Sequence, residues 1–129
     1  MMGLTIRTAV LGDGLVCLSL EGDLDGRTSA LLEKQVQELL ERGPGRVAFD
    51  LERLSVMTSA GAGVFVGAVV MAQERGGALA IVRPSPSVQQ VFDVLGLGGL
   101  FPIEDNLPAA AARIRALCAA HGREVAGIP

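Results

Sequence analysis

The segment from Arg46 to Arg83 constrains the fold more than any other part of the chain. It reads RVAFDL, then after a short connection AGAGVFVGAVVMAQERGG, then ALAIVR. The two outer runs are short and nearly all apolar, as strands covered on both faces are. The middle run is too long for a strand, and it stops at Gly76-Gly77, a usual end for a helix. Strand, helix, strand in this order implies parallel neighbours joined by a right-handed crossover.

The rest of the chain extends that unit. LTIRTAVL and LVCLSLEG read as two strands joined by a Gly-Asp-Gly turn. In the second strand Val16, Leu18 and Leu20 share one face, Cys17 and Ser19 the other, and Gly22 ends it. DLDGRTSALLEKQVQELLERGPG turns helical, with Leu32, Val36, Leu39 and Leu40 on one stripe opposite Glu33, Lys34, Gln37 and Glu41. Asp25 or Thr28 caps its start, and Gly43-Pro44-Gly45 stops it. SPSVQQVFDVLGLGG is a short helix with Pro86 in its first turn and Val88, Val91, Phe92 and Leu95 on its apolar side. LFPI is a brief last strand and LPAAAARIRALCAAHG a closing helix. The expected fold is therefore α/β: one domain over residues 1–129, a mixed, mostly parallel sheet of about five strands, and about four helices packed on it. Its core spans about residues 5–118, and the tail from Arg123 to Pro129 is expected to fray.

Composition narrows the function. Half of the residues are apolar but only 3% are aromatic, with no Trp or Tyr, so Val, Leu, Ile, Ala and four Phe must fill the core. The net charge is −3, and the Lys and Arg residues are scattered. Without a basic stripe or a stacking surface, nucleic acid is not an expected partner. Cys17 and Cys118 lie far apart with no CxxC, which fits buried thiols in a reducing compartment better than a disulfide. His121 has no second ligand at metal spacing, so no metal site is expected. Met1 to Gly3 leads straight into LTIRTAVLGDG with no secretory pattern. The longest apolar stretch, Ala60 to Ala72, falls short of the about 20 residues that span a bilayer. A soluble, cytoplasmic protein without membrane insertion is expected.

The stretch VMTSAGAG, residues 56–63, carries the chemistry, because Thr58 and Ser59 stand where the middle helix starts. An enzyme is the weakest reading. Ser59 has no activating base in sequence reach, and position 57 is Met where a G-x-S-x-G elbow needs Gly. GAGVFVG matches neither a dinucleotide fingerprint nor a P-loop. Asp23 and Asp25, the close acidic pair, read as a cap and a solvated charge. No catalytic residue and no cofactor is expected. Two readings of the hydroxyls stay open. One is a helix cap, worth about 1 kcal/mol. The other is a phosphoacceptor, since a phosphate there meets free N–H groups and the helix dipole while projecting about two negative charges. From spacing alone the cap is favoured. The helix has no charged residue from Ala62 to Ala72, and Gly63 and Gly67 lie one above the other. Burial beneath the Ala-rich closing helix and a docking surface for a protein both account for that.

Three segments together resemble the STAS domain of anti-sigma factor antagonists: LEGDLDGRTSALLEKQV, VAFDLERLSVMTSAGAGVFVGA and ERGGALAIVRPSPSVQQVFDVLGLGGLFPI. The resemblance covers about residues 5–118. It implies a non-enzymatic bacterial regulator of transcription. Such a protein binds an anti-sigma factor, typically a serine kinase with a histidine-kinase-like ATPase fold. The kinase phosphorylates a serine at the start of the second helix, and a phosphatase reverses this. Against the family motif D-S-[ST]-G-[LV]-G, Ser59 matches the phosphoacceptor, with Thr58 the lesser candidate, and Gly61 and Gly63 match the glycines. Thr58, Ala60 and Ala62 depart from it, standing for Asp, a hydroxyl residue and Leu or Val. The implied partner surface comprises Asp23, Asp25, Thr58, Ser59, Ala60, Gly61 and Gly63. The alternative is an unphosphorylated STAS subunit, structural or adaptor, of a transporter or sensory complex. A homodimer stays open.

Overall fold

The computed structural model describes residues 3–126, and the side chains of residues 3–119. The elements run β1 (Leu4–Gly12), β2 (Leu15–Leu24), α1 (Ser29–Arg42), β3 (Arg46–Met57), α2 (Ser59–Glu74), β4 (Ala78–Val82), α3 (Pro86–Val94), β5 (Ile103–Glu104) and α4 (Leu107–Ala126). The five strands form one sheet in sequence order. β1 and β2 are antiparallel, and every later neighbour is parallel. This is the mixed, mostly parallel sheet with four helices that the sequence pattern predicts. Gly12, Asp13 and Gly14 all take positive φ, which is how so short a turn closes the β1–β2 hairpin.

Helices α1, α2 and α3 cover one face of the sheet. Leu32, Val36 and Leu40 of α1 are buried, and Leu39 is half-buried, as the stripe predicts. The four phenylalanines meet in one edge-to-face cluster: Phe65 lies 5.0 Å from Phe49, 5.6 Å from Phe92 and 6.5 Å from Phe101 between ring centroids. Helix α4 lies on the opposite face, where Ala110, Ala111, Ile114 and Cys118 meet Leu15, Ala48, Ala78, Ala80 and Val82. Burial beneath α4 therefore does not explain the apolar α2, because the two helices sit on different sides of the sheet. Cys17 and Cys118 are buried free thiols. Burial pushes the Cys17 thiol up from its ordinary value.

Five boundaries differ from the sequence reading. β3 continues past Leu51 to Met57. Two bulges make this possible: β3 advances from Asp50 to Arg53 while β2 advances from Ser19 to Glu21, and from Leu54 to Val56 while β2 moves only from Gly22 to Asp23. Each adds a residue to β3, so its buried positions fall at Leu51, Leu54 and Met57 instead of alternating. β2 likewise passes Gly22 and ends at Leu24. β5 is two residues, Ile103 and Glu104, instead of LFPI. The Ile81 N–H still donates to the Pro102 carbonyl at 2.9 Å, but Pro102 has no N–H to return and pairing stops there. Leu95 caps α3 and is exposed, so the apolar side of that helix rests on Val88 and Phe92. Helix α4 runs through Ala126. The end of the tail expected to fray, residues 127–129, lies outside the described residues, as does the His121 side chain.

Candidate functional site

Parallel strands β2 and β3 end side by side, and the turns that follow them meet. The Thr58 N–H donates to the Leu24 carbonyl at 3.0 Å. Leu24 lies between Asp23 and Asp25, so the acidic β2–α1 turn and the hydroxyl-bearing β3–α2 turn share one end of the sheet. The carboxyl ends of parallel strands are where α/β sheets place their sites.

Thr58 is the N-cap of α2. Its backbone is extended, with φ −93° and ψ 172°, and its Oγ1 accepts the Gly61 N–H at 3.3 Å. That hydroxyl is thereby engaged, and the neighbouring one is left over. Ser59 is the first residue of α2, is exposed, and its Oγ has no hydrogen bond among the described residues. It borders a shallow recess of about 320 Å³ with Ser87, Gln90, Val91, Val94 and Leu95. The doubled hydroxyl thus divides its labour: Thr58 holds the helix end and Ser59 faces solvent.

Gly61 is buried, unlike its neighbours Ser59 and Ala60. A Cβ there would stand 2.5 Å from the Leu24 carbonyl oxygen and 2.7 Å from Leu24 Cγ. Only glycine lets the first turn of α2 come this close to β2, so Gly61 sets the geometry of the site from beneath. Gly63 is exposed, and a Cβ on it would meet nothing within 4 Å. With Ala60 and Gly67 it lines a small cleft of about 150 Å³ facing Glu33 and Gln37 of α1.

Asp25 organises its own turn. Its Oδ1 accepts the N–H groups of Arg27 at 2.9 Å and Thr28 at 3.2 Å, and Oδ2 pairs with the Arg27 guanidinium at 3.2 Å. The Arg27 N–H above all, then the guanidinium and the Thr28 N–H, hold its carboxyl below the ordinary value. Thr28 occupies the N-cap position of α1 without a side-chain cap bond; its hydroxyl donates to the Asp23 carbonyl at 2.8 Å. Asp23 is not the solvated loop charge expected beside a capping partner: it lies within β2 and is 7% exposed, and its carboxylate carries no hydrogen bond among the described residues. Asp23, Asp25, Thr58, Ser59 and Gly61, singled out in the sequence, lie at one end of the sheet. Sequence reasoning did not find Ser87, Val91 and Val94 beside Ser59, which follow in sequence only after another strand. No cluster of metal-ligating side chains occurs among the described residues, and no helix there is long and apolar enough to cross a membrane.

The sequence is similar to the anti-sigma F factor antagonist of Paenibacillus polymyxa, 32% identical over 94 residues that cover 72% of this chain and 80% of that protein. It is 30% identical to the anti-sigma-B factor antagonist of Bacillus subtilis over 86 residues, 67% of this chain and 78% of that one. The fold superposes on the anti-sigma factor antagonist SpoIIAA in its unphosphorylated form with a TM-score of 0.77 and 25% identity, over 87% of this chain and 97% of that chain. The phosphorylated form of SpoIIAA, a Bacillus cell fate determinant, superposes with a TM-score of 0.67 and 23% identity, over 85% and 99% of the two chains. The family model for the STAS domain matches residues 7–110. This chain belongs to the STAS domain family.

Proposed function

We propose that this chain is a non-enzymatic regulator, an anti-sigma factor antagonist that binds its anti-sigma factor through the joined β2–α1 and β3–α2 turns and is switched by phosphorylation of Ser59. One observation carries the reading: the hydroxyls have separate tasks, so Ser59 is free to be modified while Thr58 keeps the helix capped. A phosphoryl group on Ser59 Oγ would sit at the positive end of α2. It would add about two negative charges to a surface that already has the Asp25 carboxylate nearby in the fold, without disturbing the Thr58 cap. Charge and bulk together would expel a docked partner. Thr58 replaces an aspartate of the family motif; both residue types cap helices well, so the substitution keeps the cap and gives up a charge. The partner of this reading is a serine kinase with a histidine-kinase-like ATPase fold, and a phosphatase completes the cycle.

The test is incubation with ATP and such a kinase, with the modified residue mapped by mass spectrometry and kinase binding measured for two variants. Ser59→Ala is expected to bind and Ser59→Asp to lose binding. Equal binding by both would end the switch reading while leaving an adaptor standing. An adaptor in a transporter or sensory complex is the second reading, favoured by the outer face of α2, where Val70 is 48% exposed and both Gly63 and Gly67 are open. Obligate interfaces are more apolar than transient ones. Phosphate on Thr58 alone would move the switch by one residue.

A further inference from the structure

Helices α2 and α3 both follow parallel strands, β3 and β4, so their first residues lie at the same end of the sheet. Between them is the recess of about 320 Å³ that Ser59 borders. Its other wall is one side of α3. Ser87, Gln90, Val91 and Val94 recur there at helical spacing, while Val88 and Phe92 on the far side of the helix are buried in the core. A water takes up ~30 Å³ of liquid, so the recess admits a group of several heavy atoms without moving a side chain.

Two donors on this wall lack an acceptor. Ser85 is the N-cap of α3, and its Oγ accepts the Val88 N–H at 3.4 Å. Ser85 Oγ also lies 3.2 Å from Ser87 Oγ, and either hydroxyl can donate across that contact. With Ser85 donating, the Ser87 hydrogen has no acceptor among the described residues. Hydroxyls linked in this way polarise one another, which strengthens the last donor. The exposed Gln90 side-chain amide makes no hydrogen bond among the described residues either, whereas Gln89 donates to Asp93 at 3.0 Å. No charged side chain lines the recess. Asp25, in the adjoining β2–α1 turn, is tied to Arg27.

We propose that the phosphoryl group of modified Ser59 rests in this recess, where the Ser87 hydroxyl and the Gln90 side-chain amide donate to its oxygens. The inference rests on the reading of Ser59 as phosphoacceptor and adds where the group goes. A phosphoserine offers three strong acceptor oxygens, and hydrogen bonds to an ionised acceptor are about twice as strong as neutral ones. Ser87 and Gln90 therefore find a partner only after modification. The filled recess no longer presents Val91, Val94 and Leu95 as an open hollow, so the two states differ in shape as well as in charge.

Phosphoserine placed at position 59 by genetic code expansion tests this without any kinase. Phosphorus NMR reads the second ionisation of the group, whose ordinary value is about 6. Donors that favour the dianion lower it. Ser87→Ala and Gln90→Ala are each expected to raise the midpoint by about half a pH unit. Gln90→Glu is expected to raise it further, because a like charge then faces the dianion. Gln89→Ala is expected to leave it unchanged. The positive end of α2 is common to all these proteins and cancels in the comparison. Ser87 and Gln90 are exposed, and unchanged circular dichroism verifies that the fold is kept. The Gln90 side-chain amide signals are also expected to move between the serine and phosphoserine proteins. A midpoint unmoved in either alanine variant overturns the proposal, as does a Gln90 amide that stays in place. Those results leave phosphorylation of Ser59 standing. A kinase that fails to modify Ser59 ends the switch reading instead and leaves these midpoints as they are.

Discussion

Three helices cover one face of the sheet, and a single helix covers part of the other. On the first face large side chains interlock, with Phe65 inside a ring of Phe49, Phe92 and Phe101. On the second, the contact is built from Ala48, Ala78, Ala80, Ala110 and Ala111 around Ile114. Beyond the reach of α4 that face is polar, with Arg7, Ser19, Glu21, Asp50, Glu52, Arg53 and Arg83 around an open depression. Buried apolar area sets the hydrophobic contribution, so the two faces hold the fold unequally. Small side chains bring α4 close to the strands but bury less per residue. The thick face carries the stability, and the thin face leaves room for a charged surface.

Four experiments can break or sharpen that contrast. Phe65→Ala should cost about 3–5 kcal/mol in urea unfolding, because the cavity opens among three other rings. Ile114→Ala should cost about 2–3 kcal/mol by the same measurement. An equal or greater loss at Ile114 would mean that the α4 face is not the weaker one. At the rim between the faces, Asp25 supplies a smaller increment with a pH signature. Its folded value is depressed, so its contribution is complete above the unfolded value of about 4 and is lost as the pH falls through the folded value. Acid titration of stability should be flatter below pH about 4 in Asp25→Ala than in the native protein. Arg83→Gly should change least, within about 0.5 kcal/mol. Arg83 holds a φ of 48°, which costs about 1 kcal/mol for a non-glycine residue. Its ion pairs with Asp50 and Glu52 are partly exposed and offset that cost by a similar amount. A large loss at Arg83 would show that the open face contributes more than its exposure implies.

Much of this was readable in the amino-acid order. The crossover pattern around α2 announces a parallel sheet, and Leu32, Val36 and Leu40 announce the buried side of α1, because both depend on local periodicity. The end of β3 was hidden for the same reason. Its two bulges move Leu54 and Met57 off the alternation that marks a strand, and a bulge is defined by the partner strand, which sequence order does not display. The side of the sheet that α4 takes is a tertiary fact of the same kind. At the site, the hydroxyl pair was visible, but which member caps depends on a backbone angle at Thr58 and on its bond to the Gly61 N–H. The role of Gly61 was carried by a residue distant in sequence, Leu24, whose carbonyl it must approach.

Pro102 has a consequence beyond the shortness of β5. A sheet grows only where a strand edge offers both donors and acceptors, and on this side two residues and a proline offer almost none. Among the described residues the sheet is left with one open border, at β1. Growth of the sheet by strand pairing could therefore proceed from one side only, which keeps edge-to-edge stacking of sheets from running on.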